Sequence, residues 1–416
     1  MVVARRLVLG GRDVTLFEAS DHLGGTVARQ NVGGIDLDVG AESFATRGGT
    51  VKKLAVSLGL GDDIVEPNPD GAWLQPTAGP AFRLPENSLL GIPGSPLAAD
   101  VTAIIGRRAG WRAIVDLLLP EAFAANEKTL GGLVRRRMGA TVLDKLVRPI
   151  VRGVHSADAD TLLVDQVAPG LRAALTRNGS LSRAVLELRH TSARAGSAVA
   201  GIRGGVFRIA DALQSDLARF GVDVRLGTRV EEFADDHVVV DGERVDGEVV
   251  VAAPGLVRGD GASGPGHRVG LATLVVDQPL LDAAPRGTGL LVAEGRTDIR
   301  ARALTHSTAK WAWLAERAGG RHVVRLSYDG DSAAASATAA ELSDIAREDA
   351  AALLGVPLEA SRVIDFARAQ WYRPDRLSHT PDGIHLAGES IAGTGLASVV
   401  AQAEALAAKL LPATAH

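Results

Sequence analysis

The chain has 416 residues, of which 46% are hydrophobic and 23% charged, with a formal net charge of −4 at pH 7. This balance predicts a globular protein of two or more domains, and it argues against a disordered chain or one that coats nucleic acid. Cysteine is absent, which excludes disulfides, thiolate metal sites, a cysteine nucleophile and a flavin attached through cysteine. No apolar run has the length of a membrane span and the start shows no signal-peptide pattern, so we predict a cytoplasmic protein.

The first eleven residues predict a helix, because Val3, Leu7 and Val8 recur at helical spacing before Gly10 and Gly11. In a dinucleotide-binding unit, a strand and a Gly-x-Gly-x-x-Gly turn precede such a helix, and the turn holds the cofactor pyrophosphate. Neither feature precedes Val2. We therefore expect the sequence to begin after that turn, and an upstream extension of the reading frame to supply the missing strand and loop.

The stretch that follows ends an apolar run, Val14–Phe17, at Glu18 and then reaches the pair Gly24-Gly25. A carboxylate at the end of the second strand of a dinucleotide-binding unit accepts hydrogen bonds from ribose hydroxyls. The two glycines would let the backbone pass close to a cofactor, where a Cβ would collide. A buried strand closed by an ordinary turn fits these residues equally well.

The next segments predict alternating local structures before the texture changes. Residues 34–44 alternate like a strand and turn at Gly40, and residues 51–58 form a short amphipathic helix that ends at Gly59. Prolines and glycines are then frequent between residues 67 and 80, which indicates a crossing into a second domain.

Residues 100–195 are predicted to be mostly helical, and they are rich in arginine. Such a charge run is usually a solvated face, but the alternative is an electropositive cavity for a polycarboxylate, which guanidinium groups bind bidentately. The stretch from Trp111 to Leu119 is apolar enough to touch a membrane surface, or to line the core or a substrate tunnel. The arginines of this segment are Arg107, Arg108, Arg112, Arg135, Arg136, Arg137, Arg148 and Arg152.

After residue 204 the pattern returns to alternating helices and strands. A helix is predicted over 206–220, strands over 222–226, 249–255, 271–276, 289–293 and 322–327, and a helix over 339–354. Residues 383–397 predict a strand, a glycine-containing loop and the start of a last helix. The N-terminus of a helix offers free N–H groups and a partial positive charge, which suits the anionic N1–C2=O region of a reduced flavin. A plain strand–loop–helix at the end of a sheet is the alternative.

Several of these stretches together resemble the amine-oxidase-like flavoproteins, and within them the protoporphyrinogen/coproporphyrinogen oxidases. The motifs near the two ends of the chain indicate only the amine-oxidase-like superfamily. The interior motifs indicate the protoporphyrinogen/coproporphyrinogen oxidases within it. The Ser307–Trp311 stretch, which we predict to be a strand, argues against an amine oxidase or a carotenoid desaturase. The stretches that carry the resemblance are Leu16–Ala19 with Leu23–Gly25, Asp38–Phe44, Leu133–Gly139, Arg148–Asp158, Ser307–Trp311 with Val324–Leu326, and Leu386–Glu389.

The resemblance implies non-covalent FAD and assigns residues to it position by position. Near the adenosine ribose lie Glu18 and Ala19, and Val230 pairs through its backbone with adenine. Close to the pyrophosphate are Gly24, Gly25 and Thr26. The isoalloxazine is bordered by Gly40, Ala41, Glu42 and Ser43, and the flavin ring is faced from the last helix by Thr394, Gly395 and Leu396. Gly388 and Glu389 are assigned to the cofactor as a whole. The substrate is assigned to Arg136, Arg152, Lys310 and Trp311; no metal is implied.

The implied reaction oxidises a porphyrinogen, coproporphyrinogen III or protoporphyrinogen IX, to the porphyrin in heme biosynthesis. It removes hydrogens in three two-electron steps, each a hydride passing to flavin N5, with dioxygen as acceptor. The cofactor carries this chemistry, so we name no catalytic residue. The substrate partner is therefore a small tetrapyrrole, no nucleic acid is expected, and peripheral membrane contact is compatible with the sequence.

The implied fold is an α/β protein whose Rossmann-like FAD domain is discontinuous and is joined to an α+β substrate domain. We expect the FAD domain to comprise residues 1–65, 200–262 and 365–416, the helical part of the substrate domain to comprise 66–199, and its β-rich part 263–364. Because the Gly-x-Gly-x-x-Gly turn is absent, we expect the 416-residue chain to bind FAD poorly. The segment between Trp371 and Gly383 is also shorter than the family pattern. A flavin-free binding protein on the same scaffold, like the prenyl-GTPase dissociation inhibitors, remains the alternative of another class.

Overall fold

A computed structural model describes residues 1–124, 126–155, 158–194, 199–252, 267–373 and 383–411. The described chain divides into two compact units. The first comprises Met1–Pro67, Ala198–Gly270 and Ala369–His416, and the second comprises Asn68–Ser197 and Leu271–Arg368. Among the described residues no helix is both long and apolar enough to cross a membrane.

The helices, in chain order, alternate with strands in the first unit and are consecutive in the first half of the second. They are α1 Val2–Leu9, α2 Thr50–Ser57, α3 Ala99–Ile105, α4 Arg107–Ile114, α5 Leu130–Met138, α6 Ala140–Val142, α7 Arg148–His155, α8 Val164–Val167, α9 Leu171–Asn178, α10 Leu181–Arg194, α11 Phe207–Arg219, α12 Ser307–Lys310, α13 Ala312–Ala318, α14 Ala333–Ser336, α15 Ala339–Leu354, α16 Glu389–Ala392 and α17 Leu396–Leu410.

Most strands have two to four residues, whereas β16, β19 and β20 have 8 to 11. They are β1 Thr15–Phe17, β2 Arg29–Val32, β3 Ile35–Asp38, β4 Phe44–Ala45, β5 Ile64–Val65, β6 Trp73–Gln75, β7 Phe82–Arg83, β8 Ser88–Leu89, β9 Ile92–Pro93, β10 Val199–Ile202, β11 Asp223–Arg225, β12 Val230–Phe233, β13 His237–Val240, β14 Glu243–Asp246, β15 Val250–Val251, β16 His267–Val276, β17 Gly289–Val292, β18 Ala303–His306, β19 His322–Asp329, β20 Val363–Arg373 and β21 His385–Leu386.

The first unit is built on two parallel strand pairs, β1 with β11 and β15 with β21. Helix α1 packs against two clusters. Val3 packs in one with Ala387, which follows β21, and with Ala403 of α17, and Ala4 packs in the other with Leu217 of α11. In the described part of the chain, β1 is hydrogen-bonded only to β11 and β21 only to β15. The hairpin β2–β3, the meander β12–β13–β14 and the antiparallel set β4–β10–β5 complete the unit.

The second unit has a helical core and a β core. Helices α5 and α9 bury Leu133 and Leu171 in the helical core, and the π-helical turn Leu143–Val147, between α6 and α7, buries Leu146 there. The β core covers a seven-stranded sheet in the order β20-β16-β19-β18-β17-β6-β7, in which β6 and β17 are parallel. Helix α15 buries Leu342 and Leu353 against this sheet.

The structure corrects one predicted element and shortens others. Ser307–Trp311, predicted as a strand, begins with the helical turn α12, because β18 ends at His306 and Thr308 Oγ accepts a hydrogen bond from the Val323 N–H at 3.2 Å. The predicted strand 249–255 is described only to residue 252, and most of the stretch between Trp371 and Gly383 lies outside the described residues.

Candidate functional site

The predicted ribose ligand, Glu18, follows the last residue of β1 and is held by its neighbours. Its Oε1 accepts hydrogen bonds from the backbone N–H and the hydroxyl of Ser20, both at 2.8 Å. Within the described residues its Oε2 accepts no hydrogen bond. The bonds to Oε1 thus fix the orientation of the carboxylate, while Oε2 can accept a hydrogen bond from a ligand hydroxyl.

The segment around Val230 lies beside Glu18. The Thr228 N–H donates to the Glu18 carbonyl oxygen at 2.9 Å, and the Gly227 N–H donates to that of Ser20 at 2.8 Å. These bonds continue the parallel pair β1–β11 beyond its last strand residues. The two predicted adenosine contacts, which are more than 200 residues apart in sequence, therefore come from adjacent segments of the first unit.

Gly24 and Gly25 form a tight turn, and the two positions differ in why glycine is suited to them. Gly24 has φ +105°, and a Cβ there would lie 2.4 Å from the Val27 carbonyl oxygen, so the turn itself requires glycine. Gly25 also has a positive φ, +57°, but a Cβ there would meet no heavy atom within 4 Å. The side of Gly25 is therefore open, as a cofactor passing close to the backbone requires.

The predicted isoalloxazine segment, residues 40–43, packs directly on this turn. A Cβ on Gly40 would lie 2.4 Å from the Thr26 carbonyl oxygen, and the Val39 N–H donates to the Ala28 carbonyl at 2.9 Å. Phe44, which follows the segment, is buried in one cluster with Val27 and with Leu396 of the last helix. The structure thus brings together the segments that carry Thr26, residues 40–43 and Leu396. Within the part of the chain that the structure describes, Ala19 and Ala41 make no hydrogen bond that defines a role.

The C-terminal segment is positioned by β15 and by α17. Gly388 has φ +97°, and a Cβ there would lie 2.6 Å from the Ala252 carbonyl oxygen, so the close approach at the end of β15 requires glycine. Gln402 of α17 donates from Nε2 to the Leu386 carbonyl at 2.8 Å and accepts from the Gly388 N–H at 3.4 Å. Glu389 begins the helical turn α16.

The last helix, α17, begins at Leu396 after Thr394 and Gly395. Its N-cap, Gly395, has φ +100° and no capping side chain, and a Cβ there would meet no heavy atom within 4 Å. Among the described residues, no N-cap side chain therefore neutralises the positive end of the helix dipole at the first turn of α17. Together with the open side of Gly25 and the unused oxygen of Glu18, this arrangement fits FAD.

Two residues that support the site were missed by the sequence reasoning. Gln402 is one of them. The other is Asp38, whose carboxylate accepts from the N–H groups of Val206 at 3.1 Å and Phe207 at 2.8 Å and so caps the start of α11. Its place before Gly40 and the Gly204-Gly205 pair before the helix were the available signals.

The arginines of the helical segment in the second unit are largely paired with acids. Arg152 bonds Asp158 at 2.6 Å and also contacts Glu294, while Arg136 bonds Glu127 at 2.8 Å and lies exposed. Asp158 and its neighbour Asp160 also pair with Arg148 and Arg135. This pairing favours the solvated-face interpretation for Arg136 and leaves less uncompensated positive charge than an anion-binding cavity would use.

The other two predicted substrate residues lie beside the end of β18. Trp311 is only 2% exposed, and its Nε1 has no hydrogen-bond partner among the described residues. The Lys310 ammonium lies 5.1 Å from the centre of the Trp311 ring. Trp311 is therefore a core residue of the second unit. Across the described ranges, no group of three His, Asp or Glu side chains is arranged to hold a metal ion.

Comparison with known proteins adds two relatives that match most of the chain and one that matches less than half of it. A family model described as flavin containing amine oxidoreductase matches residues 1–259. A coproporphyrinogen III oxidase of Mycobacterium leprae is 29% identical over 392 residues, which cover 89% of this chain and 84% of the relative. One from Staphylococcus aureus is 25% identical over 364 residues, covering 81% and 77%. The mitochondrial protoporphyrinogen oxidase of Nicotiana tabacum is 26% identical, over 44% of this chain and 35% of its own.

Solved structures share the fold. An Exiguobacterium protein proposed to be a protoporphyrinogen oxidase superposes with a TM-score of 0.82 at 22% identity, over 98% of this chain and 96% of the other. A putrescine oxidase superposes with a TM-score of 0.65 at 17% identity, over 98% and 96%. The predicted fold class, a Rossmann-like α/β domain in discontinuous pieces with an α+β substrate domain, is confirmed.

Proposed function

Because the chain belongs to the flavin-containing amine oxidoreductase family, we propose that it is an FAD-dependent oxidase that converts coproporphyrinogen III to the porphyrin in heme biosynthesis. The observation that carries the proposal is the match to the Mycobacterium leprae oxidase along 89% of the chain. Protoporphyrinogen IX is the second candidate, supported by the shorter match to the plant oxidase. The first unit is proposed as the FAD domain and the second as the substrate domain.

The residues of the first unit would hold FAD at three places. Glu18 Oε2 would accept from the ribose, the turn at Gly25 and Thr26 would carry the pyrophosphate, and the N-terminus of α17 would stabilise the anionic side of the flavin. When bound, FAD would supply the hydride acceptor for the oxidation, and dioxygen is the proposed final acceptor. The chain supplies orientation: Asp38 and Gln402 fix the segments that carry these contacts.

A tetrapyrrole substrate carries several carboxylates, so its recognition depends on which arginines are available. A carboxylate that binds Arg152 has to replace Asp158 or Glu294, and one that binds Arg136 has to replace Glu127. Arg136 and Arg152 as substrate ligands therefore stay a prediction. If it holds, neutralising either residue raises KM more than it lowers kcat, because such contacts bind ground and transition states alike.

Peripheral membrane contact is proposed for the surface formed by α4 and the turn after it. Leu118 is 84% exposed and Trp111 60%, and the neighbouring side chains Arg107 and Arg108 are exposed cations. An exposed apolar surface rimmed by arginines is typical of a segment that lies on anionic lipid. Co-sedimentation with anionic vesicles, lost in the Trp111→Ser, Leu118→Ser double variant, tests this contact.

The experiment that tests the main proposal measures flavin content and turnover separately. The purified chain is titrated with FAD and then assayed with each porphyrinogen by porphyrin fluorescence under air. We expect flavin-dependent oxidation, faster with coproporphyrinogen III. A flavin-loaded chain that oxidises neither porphyrinogen contradicts the proposed reaction, and a chain that takes up no FAD at all favours the flavin-free binding protein.

A pair of glycine variants tests where the cofactor lies. Gly25→Ala and Gly34→Ala each place a methyl group at a positive φ with no protein atom within 4 Å, so their backbone strain is similar. If the pyrophosphate passes Gly25, only Gly25→Ala weakens FAD binding, by about tenfold or more, which corresponds to about 1.4 kcal/mol. Equal FAD affinity in the two variants would place the cofactor elsewhere.

A further inference from the structure

An aspartate interrupts an apolar run on the surface of the second unit. Helix α4 continues directly into the 3₁₀ turn Val115–Leu118. Residues 114–119 comprise five aliphatic residues and Asp116. Asp116 is fully buried, whereas Leu118 is 84% exposed. We call residues 114–119 the inverted turn, because its acid faces the core while aliphatic side chains face the solvent.

The exposed apolar side chains of α4 and the inverted turn share one face. Trp111, Val115 and Leu118 are 60%, 39% and 84% exposed, and their spacing of four and three residues places them on the same side of a helix. We call these three residues the α4 face. The buried side of α4 has little room for a larger residue, since a Cβ on Gly110 would lie 3.0 Å from the Pro96 carbonyl oxygen. Packing at Gly110 therefore orients α4, but it does not reach the inverted turn.

Four hydrogen bonds hold Asp116 inward. Its Oδ1 accepts from Arg137 Nε at 2.5 Å, and its backbone carbonyl accepts from Arg137 Nη2 at 3.3 Å. Its Oδ2 accepts from the Ser180 hydroxyl at 3.0 Å and from the Ser182 N–H at 2.8 Å. Arg137 is fully buried as well. If the inverted turn rotated to bury a leucine, the Arg137 guanidinium would stay in the core without its acid, which costs more than the burial of one leucine gains.

The charges beside the α4 face indicate which partner it fits. Residues 101–120 contain three arginines, Arg107, Arg108 and Arg112, which are all exposed, and one acid, Asp116, which is buried and paired. Two copies of such a cationic face would repel each other, whereas an anionic bilayer attracts it. Exposed apolar side chains next to arginines fit the headgroup region of anionic lipid, where the former reach the acyl chains and the latter reach the phosphates.

We propose that the buried Asp116–Arg137 pair positions the α4 face outward for contact with an anionic bilayer. The inference rests on the peripheral membrane contact proposed above and adds the residues that prepare it. In water the aliphatic side chains of the inverted turn gain by turning inward, and the bonds of Asp116 to Arg137 prevent that rotation. Asp116 is thus a positioning residue that touches no lipid itself. A buried ion pair of this kind selects one arrangement among several apolar alternatives.

The first test measures vesicle binding after removal of the pair. Asp116→Ala with Arg137→Met removes both charges and leaves a small side chain whose place a leucine of the inverted turn can take. The matched control, Arg177→Gln with Glu187→Gln, removes an exposed ion pair of the same unit and the same net charge. In co-sedimentation of the flavin-loaded protein with phosphatidylcholine–phosphatidylglycerol vesicles, the first variant should bind about tenfold more weakly, the effect of withdrawing one leucine-sized side chain. The control should bind like the wild type.

The second test reports the orientation of the turn without lipid. The chain contains no cysteine, so Leu118→Cys introduces a single thiol at the most exposed position of the α4 face. In the otherwise wild-type chain this thiol should react rapidly with a maleimide. Combined with Asp116→Ala and Arg137→Met, it should react about tenfold more slowly, which corresponds to about one molecule in ten with the face still outward. A purely stabilising role of the pair would leave this rate unchanged in the folded variant.

A conservative variant covers the case in which the double variant does not fold. Asp116→Asn keeps the size of the side chain and removes its charge, so it weakens the bond to Arg137 without emptying the site. It should lower vesicle binding and thiol reactivity in the same direction and by less. If circular dichroism shows that the double variant is unfolded, Asp116→Asn decides.

The outcomes separate this inference from the membrane contact on which it rests. If the wild type binds no anionic vesicles, the membrane contact fails and the role of the pair fails with it. If the wild type binds and Trp111→Ser with Leu118→Ser does not, unchanged binding and thiol reactivity in the folded Asp116 variants overturn the positioning role alone. Self-association of the wild type through the α4 face, without vesicle binding, would assign that face to a second copy and also overturn the proposal.

Discussion

Replacing Arg137 by methionine should destabilise the second unit far more than the same change at its neighbour, Arg136. The Arg137 guanidinium is fully buried against Asp116, which is also fully buried, at 2.5 Å. It donates as well to the carbonyls of Phe123 and Gly179, each at 2.9 Å. Removing it leaves a buried carboxylate without a counter-charge and two carbonyls without donors.

The size of the effect follows from burial. Breaking a buried ion pair by removing one partner costs about 3–5 kcal/mol, whereas an exposed pair is worth about 0–1 kcal/mol. Arg136 is the matched control, since its side chain is 55% exposed and it bonds Glu127 at 2.8 Å. Arg137→Met should therefore lower the free energy of unfolding by about 3–5 kcal/mol and Arg136→Met by less than about 1.

The assay is urea unfolding followed by tryptophan fluorescence. Four of the five tryptophans belong to the second unit, so the signal reports mainly its unfolding. A lower midpoint at unchanged slope measures lost stability. A double variant, Arg137→Met with Asp116→Leu, should recover part of the loss, because it removes both charges. Losses within 1 kcal/mol of each other for the two single variants would refute the reasoning.

Three further outcomes are expected. Burial lowers the pKa of His306 to about 4, so as the pH falls below 6.5 the unfolded chain binds a proton before the folded chain does. The free energy of unfolding should therefore fall by about 3 kcal/mol between pH 6.5 and 4. Urea titrations of His306→Gln should show a smaller dependence of this free energy on pH. Asp38→Ala should cost about 1–2 kcal/mol through the lost cap of α11 and speed amide exchange in its first turn, whereas Asp38→Asn keeps part of the cap. Gly388→Ala, with a Cβ 2.6 Å from the Ala252 carbonyl oxygen, should lower flavin content more than Gly11→Ala.

Local signals explain the parts of the fold that could be predicted. The helix predicted over 339–354 has those bounds in the structure. Its start is a capping box between Thr338 and Glu341, and its end is Gly355 in the left-handed conformation, so both ends are written within a few residues of sequence. Helix α1 ends at Leu9, just before Gly10 as predicted, but Met1 supplies no capping side chain and Gly10 has φ −85°.

The conformation of Ser307–Trp311 could not be predicted from local sequence signals of this kind. Its residues have no strong helical or strand preference, and the strand prediction depends on the resemblance to a family motif. In the structure Thr308 accepts from the Val323 N–H and Trp311 is buried, so contacts with β19 decide the conformation. Tertiary context of this kind overrides weak propensity.

The sequence alone suggests which residues contact the cofactor, but it does not indicate which residues hold those segments in place. Glu18, Gly25 and Gly388 stand next to apolar strands, a pattern that chain order alone displays. Asp38 bonds residues 168 and 169 positions away, and Gln402 bonds a carbonyl 16 positions away. Nothing in their own sequence neighbourhood indicates which helix or carbonyl they bind.

The arginine run makes the same point about charge. Arg135, Arg136 and Arg137 are consecutive and identical in type, yet the first pairs with Asp160, the second lies exposed beside Glu127 and the third is buried with Asp116. A helix turns about 100° per residue, so three neighbours necessarily face three directions. Which direction points inward depends on Asp116, 21 residues earlier, and on Ser180 and Ser182, which bond its other oxygen at 3.0 and 2.8 Å. An arginine count therefore says little about anion binding until each guanidinium has been matched to its acid.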